Sequence, residues 1–139
     1  MPYIYQAIKN NQMNELEKEF IPYGQALALK ELEFDEPCFA WYVSENHGLE
    51  YGKVIQSDLL GDAVIAPTFS QAFRWFRENY GLEGVAQRSE DFIWYKWKIS
   101  QYNEDGKKYV ADWYEYKTYE EAELACLRKL IEIVKGGEE

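Results

Sequence analysis

The sequence predicts a single α+β domain in which helices pack on one face of an antiparallel sheet. A five-residue pattern, threonine–aromatic–any residue–Gln/Glu–Ala, occurs twice, as TFSQA at residues 68–72 and as TYEEA at residues 118–122. A stretch typical of a β-hairpin lies upstream of each copy. We therefore expect two hairpin-plus-helix (ββα) units, which an internal duplication would explain, preceded by an N-terminal helix.

The domain is expected to span residues 1–139, a length that suits one domain. Hydrophobic residues make up 47% of the chain and aromatic residues 17%, a composition that excludes a disordered tail. Residues 1–12 are expected to be an N-terminal extension before Met13, or to add an edge strand through residues 3–5. Residues 136–139 are expected to be a flexible tail.

The N-terminal half contains the first predicted helix and the first predicted hairpin. The helix is expected to begin at Pro22 and to end before Pro37, because proline suits a helix start and disfavours helix in the residue before it. Its apolar side chains are Ala26, Leu29 and Leu32. The hairpin is expected to pair residues 38–43 with residues 49–56 around a turn near residues 46–48.

Both copies of the repeated pattern have the spacing of a capping box at a helix start. Pro67 keeps any helix from entering the first copy from upstream. The two helices are expected to run to about Tyr80, before Gly81, and to about Lys135, before two glycines. Their apolar stripes are expected to pack in the core. The stripes consist of Phe69, Ala72, Phe73, Phe76 and Tyr80 in one helix, and of Ala122, Cys126, Leu127, Leu130, Ile133 and Val134 in the other.

The second hairpin is the clearest one, because Asp-Gly at residues 105–106 separates two alternating runs, residues 92–102 and 108–117. With a two-residue or four-residue loop, even positions of the first strand share a face with odd positions of the second. A three-residue loop would exchange the faces. The face expected to meet the helices contains Ile93, Tyr95, Trp97 and Ile99 with Val110, Tyr114 and Tyr116. The opposite face contains Trp94, Lys96 and Lys98 with Tyr109, Trp113 and Glu115.

The second of these faces is the first candidate binding surface. Trp94, Lys96, Lys98 and Trp113 resemble a platform on which a nucleotide base stacks while lysines hold its phosphates. The alternative is a solvent-exposed face stiffened by cross-strand pairs, such as Lys96 with Glu115 and Lys98 with Trp113.

Two other surfaces are candidates for contact with a partner protein. Arg74 and Arg77 lie opposite the apolar stripe of their helix, and Trp75 lies on the flank of that stripe. Trp and Arg are common anchors in protein interfaces. The alternative for Trp75 is that it completes the edge of the core. The acidic run ELEFDE at residues 31–36 suits a basic partner, and its alternative is a solvated helix end.

The formal net charge of −10 limits the partners of this protein. Such a charge disfavours binding to a nucleic-acid backbone, which needs a cationic surface. It allows an acidic protein that occupies a basic site on a partner, including by mimicry of DNA.

No apolar run approaches the roughly 20 residues that span a membrane. Cys38 and Cys126 are too far apart in sequence to indicate a metal knuckle or a disulfide framework, so we expect a cytoplasmic protein with two reduced thiols. Because Cys126 lies in the apolar stripe of its helix, its thiol is expected to be buried and unreactive.

Motifs for catalysis are absent from the sequence. It contains no HExxH, GxSxG, GxGxxG or Walker-type glycine loop. The single histidine, His47, lies beside Gly48 in a predicted turn and is expected to be exposed. We therefore expect no enzyme activity, no catalytic residues, no metal and no cofactor.

Three blocks of sequence carry a resemblance to a known group of proteins. They are IPYGQALALKELEFDEPCF, IAPTFSQAFRWFRENYGL and TYEEAELACLRKLIEIVK. They resemble a family of small proteins of unassigned function from Bacteroides-type gut bacteria and their phages. The family members begin near the position of Met13 and often have glycine where this chain has Glu33. The resemblance implies an accessory product of a phage or other mobile element, and no catalytic residues.

The function expected from the sequence is therefore non-enzymatic binding, in which an accessory factor of phage or mobile-element origin engages a host protein. The alternative is a small-ligand protein that binds or sequesters a nucleotide, including an immune signalling nucleotide, on the aromatic and lysine face.

Overall fold

The structure, a computed structural model, describes residues 15–137, with only the backbone of residues 103, 107, 109 and 114. The chain divides into two compact units, Met1–Thr68 and Phe69–Glu139. In the described residues each unit contains one antiparallel sheet, so the α+β class is confirmed. The predicted single sheet is wrong, since the strands form two sheets. The expectation of one domain stays a prediction. The expectations for residues 1–12 and for residues 138–139 concern positions outside the part of the chain that the structure describes.

The first unit consists of one helix and a three-stranded sheet. After a helical turn at residues 15–17, helix α1 spans Tyr23–Glu31, and strands β1 and β2 span Cys38–Tyr42 and Leu49–Val54. A 3-10 turn at Gln56–Asp58 leads to the short strand β3, Val64–Ile65. The strand order is β2-β1-β3, and both pairings are antiparallel.

Helix α1 follows the signals in its sequence. It begins directly after Pro22, as predicted, and buries Ala26 and Leu29. At its end Glu33 adopts a left-handed conformation with φ of 69°. The Phe34 amide then donates to the Leu29 carbonyl over 2.9 Å, so the chain leaves the helix through a Schellman turn.

The first hairpin is confirmed at both strands. β1 ends one residue before its predicted end and β2 two residues before. β1 alternates between the core and solvent, with Cys38, Ala40 and Tyr42 buried and Phe39 exposed. His47 lies in the connecting turn and is exposed, as predicted. The sequence did not predict β3, whose two residues are too few for a period-2 pattern.

The second unit consists of two helices and a three-stranded sheet. Helix α2 spans Phe69–Tyr80, strands β4, β5 and β6 span Leu82–Arg88, Tyr95–Asn103 and Gly106–Tyr116, and helix α3 spans Tyr119–Gly137. The strand order is β4-β5-β6, with antiparallel pairing throughout. Both helices pack against β4, and α3 also packs against β5.

The helix starts predicted from the repeated pattern are confirmed. α2 begins after Thr68 and ends before Gly81, which has a φ of 65°. At α3, Thr118 Oγ1 accepts from the Glu121 amide over 3.1 Å, while the Glu121 carboxylate accepts from the Lys117 amide rather than from the Thr118 amide. The capping box at Thr68 stays a prediction. α3 extends through Gly137, two residues beyond its predicted end at Lys135.

Helix α3 supplies much of the core of its unit. Its buried residues are Ala122, Cys126, Leu127, Leu130, Ile131 and Val134. Ile133, which the sequence placed in the stripe, is half-buried, and Ile131, which the sequence did not place there, is buried. Burial raises the pKa of the Cys126 thiol to about 12, and the thiol is fully buried, as predicted.

Strand β4 was not predicted, because LEGVAQR has few β-branched or aromatic residues. Its position is explained by Gly84, which pairs with Ile99 of β5. A Cβ atom at Gly84 would lie 2.8 Å from Cys126 Sγ and 3.0 Å from Leu130 Cδ1. The missing side chain therefore lets α3 approach the sheet closely, and it also identifies the helix-covered face of the sheet.

The pairing of β5 with β6 contains two β-bulges that change the predicted faces. Asn103 pairs with Gly106, so the loop has two residues, as one predicted option required. The register then shifts at Val110 and again at Glu115, whose φ is 91°. Each extra residue moves the next side chains of β6 to the opposite face.

The described part of the chain contains no helix long and apolar enough to cross a membrane.

Candidate functional site

The loop between β4 and β5, residues 89–94, is closed by its own hydrogen bonds. The Ser89 amide donates to the Trp94 carbonyl over 2.7 Å, and the Trp94 amide donates to Ser89 Oγ over 3.1 Å. The Asp91 carboxylate accepts from the Ser89 hydroxyl and, over 3.1 Å, from the Ile93 amide. These two hydrogen bonds, with that from Ser89 foremost, lower the pKa of Asp91. The Asp91 carboxylate therefore links two positions of the loop through hydrogen bonds that favour its ionised form.

Arg88 fixes the same loop from the end of β4. Its Nη1 donates to the Phe92 carbonyl over 2.9 Å, and its Nη2 donates to the Tyr95 hydroxyl. Its guanidinium carbon lies 4.6 Å from the centroid of the Tyr95 ring, within the range of a cation–π contact. One side chain thus ties the middle of the loop to the start of β5.

The tip of this loop presents two large apolar side chains to solvent. Phe92 is 73% exposed and Ile93 is 66% exposed. Phe92 has a φ of 62°, a left-handed conformation that a bulky residue rarely adopts. Ile93 was predicted to lie on the helix-covered face of a strand, and that prediction was wrong because β5 begins only at Tyr95. We call Phe92 and Ile93 the loop tip.

An open cleft of about 560 Å³ lies beside the loop, on the sheet face opposite the helices. Four carboxylates line it, those of Glu90, Asp91, Asp112 and Glu115. Its other lining residues are Ser89, Trp94 and Lys96. Four carboxylates against one ammonium leave a formal excess of three negative charges. We call this the acid-lined cleft.

The carboxylates of the cleft are spread along its walls. Among the described residues, no group of three or more His, Cys, Asp or Glu side chains is arranged to hold a metal ion. Lys96 Nζ lies 3.7 Å from Glu90 Oε1, so the one cation of the cleft already faces a carboxylate. The arrangement therefore offers negative potential over an extended surface.

The structure separates the residues of the predicted nucleotide platform. Trp94 and Lys96 line the acid-lined cleft, whereas Lys98, two residues further along β5, does not. Trp113 pairs with Trp97, on the helix-covered face, and is 57% exposed. Its predicted place beside Trp94 was wrong, because the bulge at Val110 exchanges the faces of β6.

The predicted cross-strand pairs change for the same reason. Lys98 pairs with Asp112 rather than with Trp113, and Lys96 pairs with Tyr114 rather than with Glu115. The predicted positions of the Tyr109 and Tyr114 side chains lie outside the described part. Tyr116 remains on the helix-covered face, as predicted, where its hydroxyl accepts from Trp97 Nε1 over 3.0 Å.

The candidate interface residues of α2 are divided between core and surface. Trp75 is 7% exposed, and its ring centroid lies 5.1 Å from that of Phe76, so Trp75 completes the edge of the core. Arg74 and Arg77 are exposed. Arg77 lines a shallow groove of about 310 Å³ with Phe73, Tyr119 and other residues.

The acidic run at residues 31–36 forms the exit of α1. Leu32 and Phe34 are buried, while Glu31, Glu33 and Asp35 are exposed. The run is therefore a solvated helix end anchored by two apolar side chains, in keeping with the alternative given by the sequence.

Sequence reasoning missed the role of the residues that shape the loop. Phe92 and Ile93 have high β-propensity and were therefore assigned to a strand. The serine and aspartate two residues apart, at positions 89 and 91, are typical of a local turn and could have marked the loop.

No family model, no curated protein and no solved structure matches this chain.

Proposed function

We propose that this chain is a non-enzymatic binding protein that engages a partner protein through the loop tip and the acid-lined cleft. The observation that carries the proposal is the exposure of Phe92 and Ile93 on a loop fixed by hydrogen bonds. Contiguous exposed apolar surface rimmed by polar residues is typical of interaction sites. A loop that is already ordered loses little conformational entropy when it binds, which favours affinity.

The cleft supports a protein partner over the nucleotide alternative. A nucleotide brings negatively charged phosphates, and the acid-lined cleft carries four carboxylates against one lysine. Like charges placed together cost several kcal/mol in recognition. Trp113 also pairs with Trp97 on the other face of the sheet, so Trp94 and Trp113 do not form a shared stacking surface.

The proposal includes a biological setting that comes from the resemblance alone. Small proteins of Bacteroides-type gut bacteria and their phages have three similar sequence blocks. On that basis we propose a cytoplasmic accessory factor of a phage or other mobile element, with a host protein as its partner.

The proposal is tested by native mass spectrometry of the chain captured from its host. The test variant combines Phe92→Asn, since asparagine tolerates the left-handed conformation, with Ile93→Ser. The matched control is Leu60→Ser, which removes a side chain that is 88% exposed in the first unit. A stoichiometric protein complex is expected with the natural chain and with the control, and its loss is expected with the test variant.

Equal capture of the partner by all three proteins would contradict the proposal. A retained nucleotide that disappears with Trp94→Ala would favour the alternative function instead.

A further inference from the structure

The loop tip and the acid-lined cleft are close enough to be covered by one partner segment. Phe92 and Ile93 form the tip, and Trp94, the next residue, lines the cleft. A peptide in extended conformation advances about 3.3 Å per residue. Side chains a few residues apart on one peptide can therefore contact the apolar tip and enter the cleft.

The charge of the cleft determines which side chain suits it. Its lining carries a formal excess of three negative charges, because four carboxylates accompany one lysine. Within the lining, the lysine faces Glu90 at 3.7 Å, and Asp91 accepts hydrogen bonds from its own loop. Asp112, whose strand partner is Lys98, and Glu115 supply the remaining carboxylates from β6. A cation of the partner would lower the mutual repulsion of these groups.

Trp94 makes the same cleft suitable for an organic cation rather than for a bare metal ion. An aromatic ring beside carboxylates favours an ammonium or a guanidinium group, since both the ring face and the acids attract positive charge. The described carboxylates do not converge on a point where a metal ion would bind. The volume of about 560 Å³ lies within the range of ligand pockets in proteins.

We infer that the partner contributes a short segment that combines an apolar residue with lysine or arginine, the apolar side chain covering the loop tip and the cation entering the acid-lined cleft. This inference rests on the proposed function and adds the chemistry of the partner. It is carried by the exposed apolar tip together with the charge complementarity of the cleft beside it.

The inference is tested with a random-peptide display library selected on the immobilised full-length chain. Selected peptides are then titrated by fluorescence anisotropy against the natural chain and three variants. Asp112→Asn/Glu115→Gln removes charge from the cleft, and Phe92→Asn/Ile93→Ser removes the apolar tip. Glu78→Gln/Glu104→Gln is the matched control, because it removes the same charge from exposed positions of the second unit outside the cleft. Circular dichroism melts establish that each variant is folded.

We expect the selected peptides to be rich in Lys or Arg next to apolar residues. Their affinity should fall by roughly tenfold or more in the cleft variant and in the tip variant, but little in the control. Added salt should weaken binding to the natural chain more than binding to the cleft variant, because screening acts on the charges that this variant removes.

Three results would overturn the inference, and the last two of them would also overturn the proposed function. Peptides without basic residues that need the loop tip but bind the cleft variant equally would remove the inference and leave the proposed function in place. If no peptide is enriched, or if binding is unchanged in both the tip and the cleft variants, the inference and the proposed function both fail.

Discussion

Glu33 holds a backbone conformation that glycine adopts more readily. Its φ is 69°, and its amide donates to the Lys30 carbonyl over 3.0 Å at the end of α1. In this conformation the Cβ atom of an L-residue crowds the following carbonyl oxygen. The conformation persists because Phe34, the next residue, is buried against the core and its amide closes the Schellman turn onto Leu29. A single residue therefore carries the strain of the helix exit.

We predict that Glu33→Gly stabilises the protein by about 1 kcal/mol, since it removes the left-handed strain. Urea melts followed by circular dichroism measure the change in the free energy of unfolding. The matched control is Ala28→Gly in the same helix, which should destabilise by about 1 kcal/mol because its backbone is helical. A loss of stability with Glu33→Gly would show that the acidic side chain matters more than the backbone strain.

The packing of helix α3 on strand β4 depends on Gly84, which has no side chain. Gly84 lets the helix approach until Cys126 Sγ and Leu130 Cδ1 occupy the space a Cβ atom would fill. Phe73 of α2 comes as near as 3.2 Å to the same position. Two helices thus meet one strand at a single residue, and the close packing keeps Cys126 and Leu130 fully buried.

We predict that Gly84→Ala destabilises the protein by about 1–3 kcal/mol, because the added methyl group overpacks the contact between helix and strand. Urea melts provide the measurement, and Gly24→Ala is the control, since nothing lies within 4 Å of a Cβ atom there. The Gly84→Ala/Cys126→Ala double variant should lose less stability than the sum of the two single losses. A neutral effect of Gly84→Ala would mean that α3 packs further from the sheet than described.

For the whole molecule, the dominant property is its negative charge. The formal net charge is −10 at pH 7 and the isoelectric point is about 4.7. A charge of this size makes copies of the chain repel one another and attracts basic partners over distances of about a Debye length. The acid-lined cleft has the same sign as the whole molecule, so long-range and local fields act together on a cationic ligand.

We predict that the second virial coefficient from static light scattering is clearly positive at pH 7 and low salt. As the pH falls towards 4.7, carboxylates take up protons, the net charge approaches zero and the coefficient should decrease. Added salt at pH 7 should decrease it as well, through screening. Net attraction between copies at pH 7 and low salt would contradict the prediction and would indicate apolar self-association instead.

Local signals in the sequence were enough to place several elements. Pro22, the two threonine-headed patterns and Gly81 define helix ends through the chemistry of one or two neighbouring residues. The Asp-Gly turn placed the second hairpin, while its loop length stayed open until the strand pairing fixed it at two residues. The charge of −10 and the absence of catalytic motifs are likewise properties of the chain before it folds. The alternation of residues in the second hairpin made Trp94 and Lys96 candidates from the sequence alone.

Tertiary structure alone decided where β4 lies, which face each residue of β6 occupies and which residues shape the site. β4 lies against the helices because Gly84 lets them approach closely, and the weak β-propensity of its sequence gave no sign of a strand. The bulges at Val110 and Glu115 depend on pairing with β5, so Trp113 could not be placed from periodicity. The loop tip is exposed because hydrogen bonds of Arg88, Ser89 and Asp91 close the loop, so that β5 begins only at Tyr95. These features depend on contacts between residues distant in sequence and on the specific hydrogen bonds of a loop. The periodicity of apolar residues along the chain contains no information about either kind of contact.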